Sequence, residues 1–163
     1  MNSNDTITTL FSHHRWANLR LLECCAALTD DQLKTTVLGA YGSIHDTLQH
    51  IVTAEQSYLH RLRTGQPRPD SDVKPTLSIA ELVELARETG TGLIEIAPMV
   101  PANAIVQVNW KDGTRREVPK TIFLTQVINH STEHRAQVMA ILTQLGVEPP
   151  DLQAWQYFDE LDQ

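Results

Sequence analysis

Cysteine is nearly missing from this sequence: its 163 residues include only two, the neighbours Cys24 and Cys25. Adjacent side chains diverge by about 100° around a helix, so a disulfide between these two would be strained. No other cysteine remains to build a disulfide framework or a thiolate metal site. We therefore expect Cys25 to be a small core residue and the protein to occupy a reducing, cytoplasmic environment.

Long apolar runs and an excess of positive charge are also missing. No run approaches the roughly 18 residues that cross a bilayer, and Met1 to Thr9 lack the basic and apolar regions of a signal peptide. The formal net charge is −7, whereas nucleic-acid binding needs a clustered basic face. The nearest approach to one, residues 111–116, contains Asp112 and is interpreted as a solvated loop. These features predict neither a membrane nor a nucleic-acid partner.

What the sequence does contain is helical periodicity in four long stretches. Capping-box patterns at Ser43–Asp46 and Ser78–Glu81 begin the second and third helices, and the second runs to about Leu62. The fourth begins after Pro119 and stops at Gly146. The first spans about residues 7–28, with an inward stripe of Ile7, Leu10, His14, Ala17, Leu21, Cys25 and Leu28.

Before the last long helix the period changes from helical to alternating. Val106, Val108 and Trp110 alternate with polar residues, and Asp112-Gly113 offers a turn, which predicts a short β-hairpin. We predict an all-α fold: one domain, residues 1–163, forming a four-helix bundle with this hairpin inserted. Up-down and crossover connections are both compatible with the linker lengths. A short final helix is expected to pack Leu152, Trp155 and Phe158.

Two histidines on the last long helix are the best indication of function. His130 and His134 are four residues apart, so their imidazoles leave one face about one turn from each other. His50, at the edge of the apolar arc of the second helix, offers a third. Three imidazoles from two helices form a metal site with open positions, suited to Zn²⁺, Ni²⁺, Cu²⁺ or Fe²⁺. The alternative is a set of hydrogen-bonded, partly buried histidines without a metal.

Other polar residues lie close to this predicted site. His14 and Asn18 fall on the inward face of the first helix and either contact the substrate or metal, or satisfy each other as a buried pair. Gln137 and Asp46 are spaced to orient a ligand ring, although Asp46 is equally explained as a capping acid. The remaining histidines are expected to be solvent-exposed; they are His13, His45 and His60.

Several of these segments together resemble the DinB/YfiT-like family. They are Trp16-Ala17-Asn18 with Leu21-Leu22, Ser43-Ile44 to His50-Ile51, the hairpin turn at Asp112-Gly113, and Asn129-His130 to Val138. The resemblance implies a four-helix bundle with a long crossover, often a homodimer. It also implies one divalent transition metal, with zinc, nickel and iron as candidates, held by three histidines that match His50, His130 and His134 here.

Members of this family that have a known reaction include metal-dependent enzymes that use low-molecular-weight thiols. The leading hypothesis is therefore a thiol S-transferase acting on a small molecule, in which His14, Asn18 and Trp16 shape the substrate pocket. The sequence names no catalytic residue. A metal-dependent hydrolase and a non-catalytic, stress-induced metal-binding bundle are the alternatives.

Overall fold

Four long helices form the body of the protein in the part of the chain that the structure describes. The computed structural model describes residues 5–69, 75–109 and 112–161. In chain order the elements are α1 (Thr6–Cys25), α2 (Asp30–Leu33), α3 (Ile44–Thr64), α4 (Ile79–Ile96), a 3₁₀ turn (Ala97–Met99), β1 (Ile105–Asn109), β2 (Arg115–Pro119), α5 (Lys120–Gln144) and α6 (Ala154–Leu161). The predicted helical bundle with a hairpin insertion is confirmed.

The ends of the long helices follow the local signals in the sequence. Ser43 and Ser78 each form a capping box, in which the serine hydroxyl accepts the N3 backbone N–H and the N3 acid accepts the serine N–H. At the other end of α3, Gly65 has a φ of 73°, and after α5 Gly146 has a φ of 72°. Both angles lie in the left-handed region, which glycine enters without steric cost.

The long helices pack in a crossover arrangement. The main partner of α1 is α4, while α3 packs against both α4 and α5. The consecutive long helices α1 and α3 are therefore not each other's principal neighbours. Two groups of buried apolar side chains form the core, one around Leu21, Leu48 and Ile141 and the other around Phe11 and Val127. The polar site described below lies on the α3–α5 side of this core.

The hairpin joins α4 to α5 as an antiparallel pair. Val106 faces Val118 across the pair, and Val106 is buried. Its turn includes Gly113 at a φ of 81°. Trp110 and Lys111, like residues 1–4, lie outside the described residues. Within the described ranges, no helix combines the length and apolar character needed to span a membrane.

Three details predicted for the first and last helices are wrong. The first helix ends at Cys25 rather than near Leu28, and its inward stripe runs through Phe11, which is 1% exposed, instead of Leu10, which is 42% exposed. In α6, Trp155 and Phe158 point to solvent. Glu160 is the reason, because it binds Trp16 and Arg20 of α1 and so turns the opposite face of α6 outward.

Gly90 and Gly92 mark close helix contacts within α4. A Cβ atom at Gly90 would lie 2.6 Å from Cγ of Arg15 on α1, and one at Gly92 would lie 2.7 Å from Cδ2 of Leu59 on α3. Glycine normally weakens a helix. Here its missing side chain lets α4 approach both neighbours.

Candidate metal centre

Helices α3 and α5 bring three histidines together. His50 lies on α3, and His130 and His134 lie one turn apart on α5. One ring nitrogen from each lies within 4.8 Å of the other two, and Nε2 of His50 is 2.9 Å from Nε2 of His130. The two helices run antiparallel, since Lys120 at the start of α5 donates to the carbonyl of Leu62 near the end of α3. Residues 80 positions apart in sequence thus become neighbours.

The spacing of these nitrogens fits a shared cation. Zinc–imidazole bonds are about 2.0–2.1 Å long, so two ring nitrogens on one ion lie roughly 3 Å apart. Nitrogens separated by 2.9 Å need a proton or a cation between them, because two facing lone pairs repel. The three histidines can therefore hold one divalent transition metal. Imidazole ligation does not by itself select among zinc, nickel and iron.

Gln137 fixes the ring of His134 in the state that a metal ligand requires. Its Oε1 accepts a hydrogen bond from the backbone N–H of Tyr41 at 3.1 Å and lies 3.0 Å from Nδ1 of His134. Because an amide oxygen only accepts, Nδ1 of His134 carries the proton and donates it. The lone pair of the neutral ring is then on Nε2. The predicted contact between Gln137 and His134 is present.

His130 is held in its neutral form. Burial, together with the neighbouring His134 and His50, lowers the pKa of His130 to about 4, against a smaller opposing effect of Glu55. A neutral imidazole is the form that binds a metal. At neutral pH the ring therefore has a lone pair available without first losing a proton.

Tyr41 covers one side of the three histidines. Its ring stacks on His50, with centroids 4.1 Å apart and planes 12° from parallel, and meets His134 edge-on at 5.2 Å. The side chain is 55% exposed, so the stack stands between the centre and solvent. No pattern in the sequence singled out Tyr41, since it lies in the loop before α3 and reaches the site only when the chain folds.

Replacing Gln137 by alanine is expected to weaken metal binding by about 10–100-fold, because His134 loses the acceptor that fixes its tautomer and ring orientation. The measurement is a competition titration of zinc against a chromophoric chelator. Gln144→Ala, the same change at an exposed position near the end of α5, is the control and should leave the affinity unchanged. Equal affinities for the wild type and Gln137→Ala would contradict this role.

A buried carboxylate organises a second set of polar residues beside the histidines. Glu55 is 1% exposed, and its Oε1 accepts from Oγ of Ser131 at 2.6 Å, from Nδ2 of Asn18 at 2.7 Å and from Nε2 of His14 at 2.7 Å. Burial raises the pKa of Glu55, but the contacts with His14, Ser131 and Asn18 together lower it below its ordinary value. The carboxylate is therefore ionised at neutral pH.

Arg135 completes this buried polar cluster. It is 5% exposed and donates from Nη1 to Oδ1 of Asn18 at 2.7 Å and from Nη2 to Oγ1 of Thr132 at 3.0 Å. Its Nη1 also lies 3.5 Å from Nδ1 of His14. Burial lowers the pKa of Arg135 to about 10, and Glu55 opposes that shift. The guanidinium stays charged at neutral pH, and Glu55 supplies the opposite charge.

The three predicted pocket residues occupy two different places. His14 and Asn18 are 1% and 4% exposed and direct their polar atoms to Glu55 and Arg135. Trp16 lies elsewhere on α1, where its Nε1 donates to Glu160 of α6 at 2.9 Å. Sequence reasoning missed Glu55 as the centre of this cluster, although a carboxylate within the apolar arc of α3 was the available signal.

The structure also decides several smaller predictions. Asp46 contacts Ser43 in the capping box, its Oδ2 accepting from Oγ of Ser43 at 2.7 Å, which is the capping alternative. The prediction that His13 and His45 are solvent-exposed is wrong. Both are half-buried, because their rings donate to the carbonyls of Leu152 and Leu77 at 2.9 and 2.8 Å. His60 is half-buried as well.

Comparison with known proteins identifies the family. A family model described as the DinB family matches residues 1–160. The chain belongs to the DinB family. The resemblance seen in the first helix and around the histidines is thereby confirmed. None of the curated proteins compared with the chain matches it.

Two solved structures share this DinB fold. A DinB-like protein from Bacillus subtilis has a TM-score of 0.68 at 17% identity, over 91% of this chain and 99% of its own. A DinB-like protein from Bacillus cereus has a TM-score of 0.61 at 24% identity, over 85% of this chain and 90% of its own. These likenesses support the fold assignment.

Proposed function

We propose that this DinB-family protein is a metal-dependent enzyme in which His50, His130 and His134 bind one divalent transition metal and the reaction joins a low-molecular-weight thiol to a small electrophile. The observation that carries the proposal is the convergence of three ring nitrogens within 4.8 Å of one another. Three protein ligands are typical of catalytic metal sites, whereas structural zinc sites use four.

A bound divalent cation supplies positive charge, which favours the deprotonated form of a thiol at neutral pH. The protein's own residues orient the ligands and shield the metal centre. Gln137 holds His134 with Nε2 directed to the centre, and Tyr41 limits the access of solvent from one side. The buried hydrogen bond from Ser131 to Glu55 joins α5 to α3 next to the centre. The homodimer, the cytoplasmic location and a link to stress remain predictions.

The experiment is a conjugation assay on zinc-, nickel- and iron-loaded protein. Each form is incubated with monochlorobimane and one of several thiols, such as bacillithiol, mycothiol, glutathione or cysteine, and fluorescence is followed. We expect at least one thiol to react faster with the loaded wild type than with His130→Ala. The absence of acceleration with every thiol would overturn the thiol-transferase proposal. Ester hydrolysis without any thiol would instead favour a metal-dependent hydrolase.

A further inference from the structure

A cleft beside the histidines has the size and lining of a small-molecule site. It measures about 480 Å³ and lies between α3, α5 and the hairpin, with walls that include Tyr58, Val108, Val118 and Phe123. Small-molecule sites occupy roughly 300–1,000 Å³ and are mostly apolar with a few polar anchors. None of the three histidines lines this cleft or the larger depression of about 850 Å³ along α4, but the lining of the cleft includes Tyr58, whose ring contacts His130.

The cleft adjoins the metal centre through Tyr58. The Tyr58 ring lies 6.2 Å from Phe123 on one side and 6.2 Å from His130 on the other, distances typical of contacting aromatic rings. Tyr58 follows His50 by eight residues and Phe123 precedes His130 by seven, so both pairs share a helix face. The cleft and the centre therefore lie side by side between α3 and α5 with the Tyr58 ring between them, and we refer to the two together as the groove.

Arg61 stands at the end of this groove away from the histidines. It follows His50 by eleven residues on α3, a rise of about 16 Å at roughly 1.5 Å per residue. Its guanidinium carbon lies 5.8 Å from the centre of the Phe123 ring, over the ring face, and the side chain is half-buried. The ring supports the guanidinium by a cation–π contact.

The charge of Arg61 is not matched by an acid among the residues that the structure describes. The ion pairs among these residues involve His14 and other arginines, including Arg63, whose Nη2 lies 3.8 Å from Glu95. None of them includes Arg61. Acidic residues outnumber basic ones in this chain, whose net charge is −7, and yet Arg61 has no acidic partner among the described residues. A guanidinium fixed on a ring without a carboxylate partner is suited to bind a planar oxyanion with two parallel hydrogen bonds.

We propose that the groove binds a small organic carboxylate, an inference that rests on the proposed function and names the class of its electrophilic substrate. Arg61 binds the carboxylate. The apolar or aromatic body lies against Tyr58, Val118 and Phe123, and the opposite, reactive end reaches the three histidines. The backbone separation along α3, about 16 Å, sets the approximate length scale of such a substrate.

The test is a binding comparison between two probes of the same shape, 4-phenylbutyrate and 4-phenylbutanamide, by isothermal titration calorimetry on the full chain. The carboxylate is expected to bind the wild type about tenfold or more tightly than the amide, because it accepts charge-assisted hydrogen bonds. Arg61→Gln should remove this preference, and Arg61→Lys should retain part of it, since lysine keeps the charge but not the planar fork. Arg63→Gln, on another face of α3, is the matched control and should leave the preference intact.

Equal binding of the two probes, no measurable binding of either, or the same loss in Arg61→Gln and Arg63→Gln would each overturn the proposal. The preference in the wild type does not depend on whether a variant folds. Turnover is not needed either, so the outcome is separable from that of the thiol assay. If the carboxylate probe is preferred but no thiol is conjugated in any assay, the carboxylate site is supported and the thiol-transferase proposal is rejected.

Discussion

Replacing His134 by alanine is expected to abolish stoichiometric metal binding. Removing Gln137, which only orients this ligand, costs about 10–100-fold in affinity, and loss of the ligand itself should cost more. His50 and His130 would remain 2.9 Å apart, but two imidazoles do not supply the three protein ligands usual for a catalytic site. Elemental analysis of untagged protein by mass spectrometry, after dialysis against metal-free buffer, measures the change.

The matched control for this experiment is His60→Ala. His60 is a half-buried histidine on the same helix as His50, and it does not belong to the cluster of three. Its replacement should leave the metal content unchanged. The metal-free forms of both variants should unfold near the temperature of the metal-free wild type, because the two apolar clusters do not include these histidines. Unchanged metal content in His134→Ala would reject the site.

Much of this fold could be predicted because its helix boundaries are local. Ser43 and Ser78 are each followed three residues later by the acid that completes a capping box, and Gly146 provides a left-handed position just past α5. Such signals act over three to five residues and need no tertiary contact. The same is true of His130 and His134, whose spacing alone places them on one face of α5.

The parts that could not be predicted depend on which helices meet. From the sequence alone, Gly90 is predicted only to weaken its helix. The structure shows that the Arg15 side chain packs against it. Phe158 fits an apolar stripe, but the contact between Glu160 and Trp16 decides which face of α6 turns inward. Glu55 is the clearest case, since its partners lie 37 to 76 residues away on two other helices. Periodicity shows that a side chain points inward and does not show what it meets.

Replacing Glu55 by glutamine is expected to lower the free energy of unfolding at pH 7 by about 3 kcal/mol or more, the usual cost of leaving a buried charge uncompensated. The change keeps the shape of the side chain and removes its charge. Arg135, 5% exposed, would then remain buried without the negative charge that balances it across their shared partner Asn18. Urea unfolding followed by circular dichroism measures the difference. Glu88→Gln, at an exposed carboxylate on α4, should change the value by less than about 0.5 kcal/mol.

The difference between the wild type and Glu55→Gln should also depend on pH in one direction. In the folded protein the pKa of Glu55 is lowered from its ordinary value of 4.5, so the unfolded chain takes up this proton first as the pH falls. The stabilisation that depends on the charge is therefore complete above pH 4.5 and is lost as the pH falls through the folded-state pKa. Glutamine does not titrate, so the two unfolding free energies should converge in acid. A difference that is constant from pH 7 to pH 3 would mean that the contribution of Glu55 to stability does not depend on its charge.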